Sequence, residues 1–158
     1  MPSSETEFYL RVNGDSHAVT CNPSTPLLFV LRNELGLMGT RQGCTTGHCG
    51  ACMIQQDGTA IQSCSLSVNS AIGELTTIEG LGSPSQLHPL QQRFFDDQAA
   101  QCGYCINGIL MSIDSVIRKF QSPNMMQIKK TLKQHLCRCG SHARILGAIR
   151  KALNSDKN

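Results

Sequence analysis

The chain opens on an alternating pattern. Phe8, Leu10 and Val12 alternate with Tyr9 and Arg11, the two-residue period of a half-buried strand. Asn13-Gly14 follows as a turn pair that tolerates positive φ, and the pattern resumes toward Val19, so residues 7–20 predict a β-hairpin. Ser24 or Thr25 then stands as the cap of a helix with Pro26 in its first turn. Leu27, Leu28, Leu31 and Leu35 mark one face of that helix, and Gly36 stops it. Residues 39–52 lose all periodicity and carry Gly39, Gly43, Gly47 and Gly50, which reads as a loop. Residues 51–56 and 59–64 read as strands about an Asp57-Gly58 turn, and residues 75–79 as a further strand. Strands wrapped round one helix predict a small α+β domain over residues 1–80.

Gly, Ser and Pro in residues 81–86 mark a linker. Beyond it the apolar period becomes helical. Residues 87–100 and 108–120 predict two helices, Ser122-Pro123 opens a third that runs to about residue 136, and residues 145–154 predict a fourth. Residues 87–158 therefore read as a four-helix domain, and the fold class of the whole is α+β. No internal repeat is visible.

Composition narrows the class. With no Trp, two Tyr and five Phe, the cores must rest on Leu, Ile, Val and Met. Two small domains bury thin cores and usually need a metal or covalent staple. The nine cysteines are an odd number, and residues 1–6 are polar with no basic stretch leading into an apolar run. The longest apolar run, residues 27–31, is far too short to span a bilayer. The expectation is a chain without signal peptide or membrane span, in a reducing cytoplasmic setting where cysteines hold metal rather than disulfides. The net charge of +3 conceals an asymmetry: residues 1–114 carry four basic and ten acidic side chains, residues 115–158 ten basic and one acidic. No aromatic residues interleave with the basic ones to stack on bases, so nucleic acid is not an expected partner.

Eight of the cysteines form two tetrads. Cys44, Cys49, Cys52 and Cys64 read C-x4-C-x2-C-x11-C, and Cys102, Cys105, Cys137 and Cys139 read C-x2-C-x31-C-x-C. The first is the plant-type ferredoxin spacing for a [2Fe–2S] cluster. Its loop must curl so that three cysteines point inward while amide N–H groups aim at sulfur, and Gly43, Gly47 and Gly50 permit that. Zinc ribbons favour paired C-x2-C knuckles instead. The second tetrad, by spacing alone, admits zinc or iron–sulfur. A second redox centre near the first makes a pathway, because tunnelling falls off exponentially with distance, and this favours iron. Nearby Lys, Arg and N–H groups would offset the negative charge of such clusters. His48 sits in the first loop, but a Rieske site would need two histidines in place of two cysteines; it reads as a loop side chain that donates a hydrogen bond or faces solvent. His135 and His142 flank the second C-x-C and are zinc ligands in the rival reading, otherwise helix-end residues or partner contacts. Cys21 reads as a buried small hydrophobe, and Met111, Met125 and Met126 as core.

The runs Gly43-Cys44-Thr45-Thr46-Gly47-His48-Cys49-Gly50-Ala51-Cys52, Gln101-Cys102-Gly103-Tyr104-Cys105 and Leu136-Cys137-Arg138-Cys139-Gly140 closely resemble the small iron–sulfur subunit of molybdenum hydroxylases, the xanthine oxidase family. The resemblance covers about residues 7–152. Within the family it looks most like the small subunits of bacterial nicotinate dehydrogenase and isoquinoline 1-oxidoreductase, with residues 98–105 and 139–142 leaning toward the nicotinate enzyme. It implies a ferredoxin-like (β-grasp) domain followed by a four-helix-bundle domain, each with a [2Fe–2S] cluster. It also implies a large partner subunit with a molybdenum–pterin cofactor, in its cytosine dinucleotide form, whose pterin lies against Gln101. Electrons then pass from molybdenum to the helical-domain cluster, to the ferredoxin-like cluster, and to an acceptor such as cytochrome c or a flavin subunit. The substrate pocket belongs to the large subunit, the substrate being an N-heteroaromatic such as nicotinate. Alternatives are an aldehyde- or isoquinoline-oxidising enzyme, a stand-alone two-cluster ferredoxin, and membrane association through partner subunits. This chain departs from the family pattern at Thr45, often Gly; at Ile106-Asn107, where Asn107 is expected to cap the following helix; and at residues 139–142.

Overall fold

The computed structural model describes residues 5–155. Residues 1–4 and 156–158 lie outside the described residues, and with them most of the polar N-terminal stretch and the last charges of the basic C-terminal segment.

Strands β1 (Thr6–Val12) and β2 (Asp15–Cys21) pair antiparallel, with Asn13 at φ 55° and Gly14 at φ 90° in the turn. Leu10, Val12 and Val19 face inward while Tyr9 and Arg11 are exposed, as the alternation requires. Helix α1 (Leu27–Phe29) is shorter than expected and widens into a π-helical turn at Val30–Glu34. Pro26, at ψ 133°, is itself the cap residue, and neither Ser24 nor Thr25 caps the helix. The reason is tertiary. The free N–H groups of Leu27 and Leu28 donate to the carbonyls of Leu66 and Ser63 (2.8 and 3.0 Å), so no capping side chain is needed.

Strands β3 (Met53–Gln56) and β4 (Thr59–Gln62) flank the Asp57-Gly58 turn, and β5 (Glu74–Thr76) ends where the short α2 (Ile78–Leu81) begins. All three strands are shorter than the pattern predicts. The five strands form one mixed sheet in the order β2-β1-β5-β3-β4, with β1 and β5 parallel.

Helices α3 (Pro89–Asp96), α4 (Ile106–Phe120), α5 (Met125–Leu132) and α6 (His142–Ser155) follow. α3 is capped by His88, whose Nδ1 accepts from the Leu90 N–H. α5 starts later than Ser122-Pro123: Asn124 caps it in a capping box with Gln127. Asn107 does not cap α4. Cys105 occupies that position, and the Asn107 amide instead donates to the Gly39 carbonyl at 2.8 Å.

One apolar cluster joins Leu10, Val12, Leu27, Leu31, Ile54 and Leu75 between the sheet and α1. Another gathers Ile109, Ile113, Ile128, Ile145 and Ile149 among the helices, and Met53 of β3 and Leu81 of α2 belong to it. The sheet and helices therefore meet along β3 and α4. There the Gln55 amide donates to the Met111 carbonyl (2.9 Å) and to the Asp114 carboxylate (2.8 Å). Met111 is fully buried and Met125 half-buried, but Met126 is 78% exposed on the outer face of α5, contrary to its reading as core. Cys21 is half-buried against the sheet core rather than fully enclosed.

Candidate metal centres

The first cysteine loop leaves α1 and enters β3, curling round the sulfur of Cys44. That sulfur accepts from the N–H groups of Thr46 (3.5 Å), His48 (3.2 Å) and Cys49 (3.3 Å), and the Cys44 N–H donates to Cys49 Sγ at 3.3 Å. The Thr46 N–H and then that of His48 do most to bring the Cys44 thiol down to about 5, so the loop is built to stabilise a thiolate. Gly43 must lack a side chain, because a Cβ there would overlap Cys49 Sγ. Gly47 stands at φ 76°, its carbonyl bonded by the Gln62 amide at 2.8 Å. Gly50, at φ 72°, lies so close to His135 that a Cβ would overlap its ring.

The inner pair differs. Cys52 and Cys64 are buried beside Leu28, and burial pushes the Cys52 thiol up to about 12. Such thiols stay protonated in an apolar setting unless a metal cation takes the proton's place. An outer pair in a field of amide N–H groups and an inner pair in apolar surroundings suit an anionic sulfur-ligated cluster set into the loop.

The second tetrad repeats this contrast. Cys105 is buried at the start of α4 and pushed up to about 12, chiefly by burial, while exposed Cys102 is lowered, chiefly by the Tyr104 N–H. Cys137 is pushed up by burial, but the Ser141 N–H, the Cys105 thiol and the Cys139 N–H together bring it below its ordinary value. The thiols meet in pairs, Cys102 with Cys139 and Cys105 with Cys137, over a cleft of about 540 Å³ bordered by Tyr104, Leu136, Arg138 and His142. Gln101 is exposed at its edge, its amide 3.4 Å from the Cys139 carbonyl. Among the described residues no three His, Cys, Asp or Glu side chains converge as ligands of one metal ion.

The histidines fall out differently from one another. His48 is exposed, its Nδ1 3.2 Å from Thr46 Oγ1. His142 is half-buried, with Nε2 3.4 Å from the His135 carbonyl. His135 stands just past the end of α5, as a helix-end residue, but is only 3% exposed and so not a surface contact: it is wedged between Gly50 and α4, with Nε2 2.9 Å from Ser112 Oγ. Its neighbour Leu136 donates its N–H to the Cys49 carbonyl at 3.0 Å, so the two cysteine loops touch here. The one trace of this contact in the sequence is Gly50, whose missing side chain makes the room.

Two family models divide the chain between them: a 2Fe-2S iron-sulfur cluster binding domain over residues 10–75 and a [2Fe-2S] binding domain over residues 77–150. The two matches thus define a carrier of two [2Fe–2S] clusters. The chain is 47% identical over 149 residues to one of the subunits of nicotinate dehydrogenase from Pseudomonas putida, covering 94% of this chain and 95% of that one. It is 41% identical over 148 residues to the alpha subunit of isoquinoline 1-oxidoreductase from Brevundimonas diminuta, covering 92% and 95%. Among solved structures it is similar to quinoline 2-oxidoreductase from Pseudomonas putida 86, with a TM-score of 0.89 at 32% identity over 97% of this chain and 96% of that chain. The chain belongs to the small [2Fe–2S] subunits of molybdenum hydroxylases, the xanthine oxidase family. Relatives occur as separate subunits or within a longer chain, as in the aldehyde oxidoreductase of Desulfovibrio gigas, of which this chain covers 18% (TM-score 0.89, 31% identity).

Proposed function

We propose that this chain relays electrons in a molybdenum hydroxylase that acts on an N-heteroaromatic such as nicotinate. Cys44, Cys49, Cys52 and Cys64 hold one cluster in a β-grasp domain of residues 1–80. Cys102, Cys105, Cys137 and Cys139 hold the other in a four-helix domain of residues 87–158, after the linker expected at 81–86, of which Leu81 is instead the last residue of α2 and packs in the helical core. Each [2Fe–2S] cluster, when bound, takes up and releases one electron. The reaction, hydroxylation of an electron-poor ring carbon with oxygen from water, takes place in the large subunit.

The observation that carries this reading is the backbone hydrogen bond from Leu136 to Cys49. It joins a ligand of the first tetrad to the residue just before a ligand of the second, so the protein spans the two sites with few bonds. The second tetrad faces the large subunit. Around exposed Cys102 stand Leu136, 66% exposed, and Tyr104, 47% exposed, the kind of apolar patch that a partner covers. Gln101 on the same edge reaches the pterin, in its cytosine dinucleotide form. The acceptor, a cytochrome c or a flavin subunit, meets the exposed rim of the first loop at Thr45, Thr46 and His48. A cytoplasmic site suits the unpaired thiols; among the described residues no helix is long and apolar enough to cross a membrane. Nicotinate is favoured over an aldehyde by the 47% identity to the nicotinate enzyme's subunit, against 37% to the iron-sulfur-binding subunit PaoA of an Escherichia coli aldehyde oxidoreductase.

Electron paramagnetic resonance of the complex tests the relay. Dithionite should develop two [2Fe–2S] signals, and substrate should develop the same two. In Cys102→Ser, substrate should no longer reduce the cluster of the Cys44 tetrad while dithionite still does. Normal reduction of that cluster by substrate in the variant overturns this order of transfer. A chain that purifies as a monomer without pterin would be a stand-alone ferredoxin instead.

A further inference from the structure

A second link between the two cysteine loops is made by side chains. Tyr104 lies between Cys102 and Cys105, and its hydroxyl donates to the carbonyl of Gln42, two residues ahead of Cys44. The Arg41 guanidinium lies 5.8 Å from the centre of the same ring, a cation–π distance. One turn further along, the Asn107 amide bonds the Gly39 carbonyl. Residues 39–42 are thereby strapped to residues 104–107. The Leu136–Cys49 bond holds the other end of the first loop and depends on backbone alone. The strap at the near end depends on which side chains are present, and it holds the stretch that leads into Cys44.

The ring of Tyr104 is 47% exposed, so burial alone does not fix its direction. Its hydroxyl and Arg41 do. A phenylalanine there would keep the ring and the stacking but release the Gln42 carbonyl to water, at little cost to folding because the site is open to solvent. What such a change alters is the position of the loop.

We propose that Tyr104 is a positioning residue for electron transfer between the two clusters: its hydroxyl ties the segment before Cys44 to the Cys102–Cys105 loop and so sets the separation of the two sites. The inference rests on the two-cluster relay proposed above. Tunnelling decays exponentially with distance and magnetic coupling between two reduced clusters also falls steeply, so a loosened strap registers in both.

The test compares wild type, Tyr104→Phe and a remote control, Tyr9→Phe, whose exposed hydroxyl bonds only the nearby Glu7 carboxylate at 2.9 Å among the described residues. Each is prepared in the complete complex and assayed for iron and sulfide, for spin–spin splitting in the fully reduced state, and for amide hydrogen exchange over residues 41–44. The expected result is that Tyr104→Phe holds both clusters, shows a reduced splitting and faster exchange, and transfers electrons between clusters several-fold more slowly. Tyr9→Phe should match wild type throughout. Unchanged splitting and exchange in Tyr104→Phe overturn the role of Tyr104, as does an equal change in Tyr9→Phe. Loss of either cluster in Tyr104→Phe also overturns it, since the hydroxyl would then serve assembly rather than spacing. A wild-type complex with one cluster overturns this inference together with the relay; two interacting clusters in wild type confine any failure to Tyr104.

Discussion

Thr45 holds φ 58° at the tightest part of the first cysteine loop, a costly conformation for a β-branched residue. Its hydroxyl turns to the Cys44 carbonyl at 2.7 Å. The strain is local and sits beside a proposed ligand, where a loop wrapped round one sulfur leaves its residues few alternatives. His135 is the other residue whose setting carries a consequence. Its Nε2 meets Ser112, and Nδ1 has no hydrogen-bond partner, so the tautomer that leaves no buried N–H unpaired keeps its proton on Nε2. Burial, and after it the nearby His142, lower this histidine to about 4. In the unfolded chain it titrates near about 6.5. Between those values the unfolded state binds a proton that the folded state refuses, so stability rises with pH across the window. The contribution is complete above pH 6.5 or so, is lost as pH falls, and the loss levels off near pH 4 at roughly 3 kcal/mol. Denaturation curves from pH 7 to 4 should therefore be steeper in pH for wild type than for His135→Gln; equal slopes would show that His135 is not the group responsible.

At the scale of elements, α4 organises the contact between sheet and helices. Asp114 is 2% exposed and accepts from Gln55 of β3 at 2.8 Å and from Arg118 Nε at 2.6 Å. The Nδ1 of His88 is occupied as a helix cap, so Nε2 carries the proton and points to the same carboxylate at 3.4 Å. Ser115, one residue on, accepts from the Ala60 N–H and donates to the Gly58 carbonyl, which pins the β3–β4 turn to the helix. Arg118 is largely exposed and adds little. The buried Gln55 amide and half-buried His88 imidazole left behind would dominate the effect of Asp114→Ala, expected at about 3 kcal/mol. Thermal melting or urea unfolding measures it, and a loss below about 1 kcal/mol would mean that water replaces the carboxylate. Helices and hairpins were legible because their apolar periods are local. Their ends were less so. Pro26 and Asn107 have roles that depend on carbonyls far along the chain, and no local signal announces those; the Asn124–Gln127 capping box, by contrast, is a local signal that the Ser122-Pro123 reading passed over.

At the scale of the molecule, the second tetrad lies at the surface beneath an apolar rim. Leu136 is the most exposed apolar residue on that rim, next to Cys137. Its backbone N–H is committed to Cys49, so a change of side chain should leave the contact between the loops in place. Leu136→Asp is expected to keep both clusters in the isolated chain but to weaken association with the large subunit roughly tenfold or more, as loss of a central apolar anchor does. Titration of the two subunits by light scattering or calorimetry reads this directly. Undiminished affinity would move the interface away from this rim.

The sequence by itself determined the α+β class, the hairpins, the helical second half and the division of eight cysteines into two tetrads. Each follows from local spacing, since strand, helix and loop periods and ligand intervals are properties of neighbouring residues. Only the tertiary structure decided how the two cysteine loops meet: the Leu136 N–H on the Cys49 carbonyl, the His135 ring under Gly50, and the Tyr104 hydroxyl on Gln42. These partners lie dozens of residues apart, and close approach in space leaves no period in the chain. It leaves at most an absent side chain, as at Gly50, where another part of the molecule needs the room.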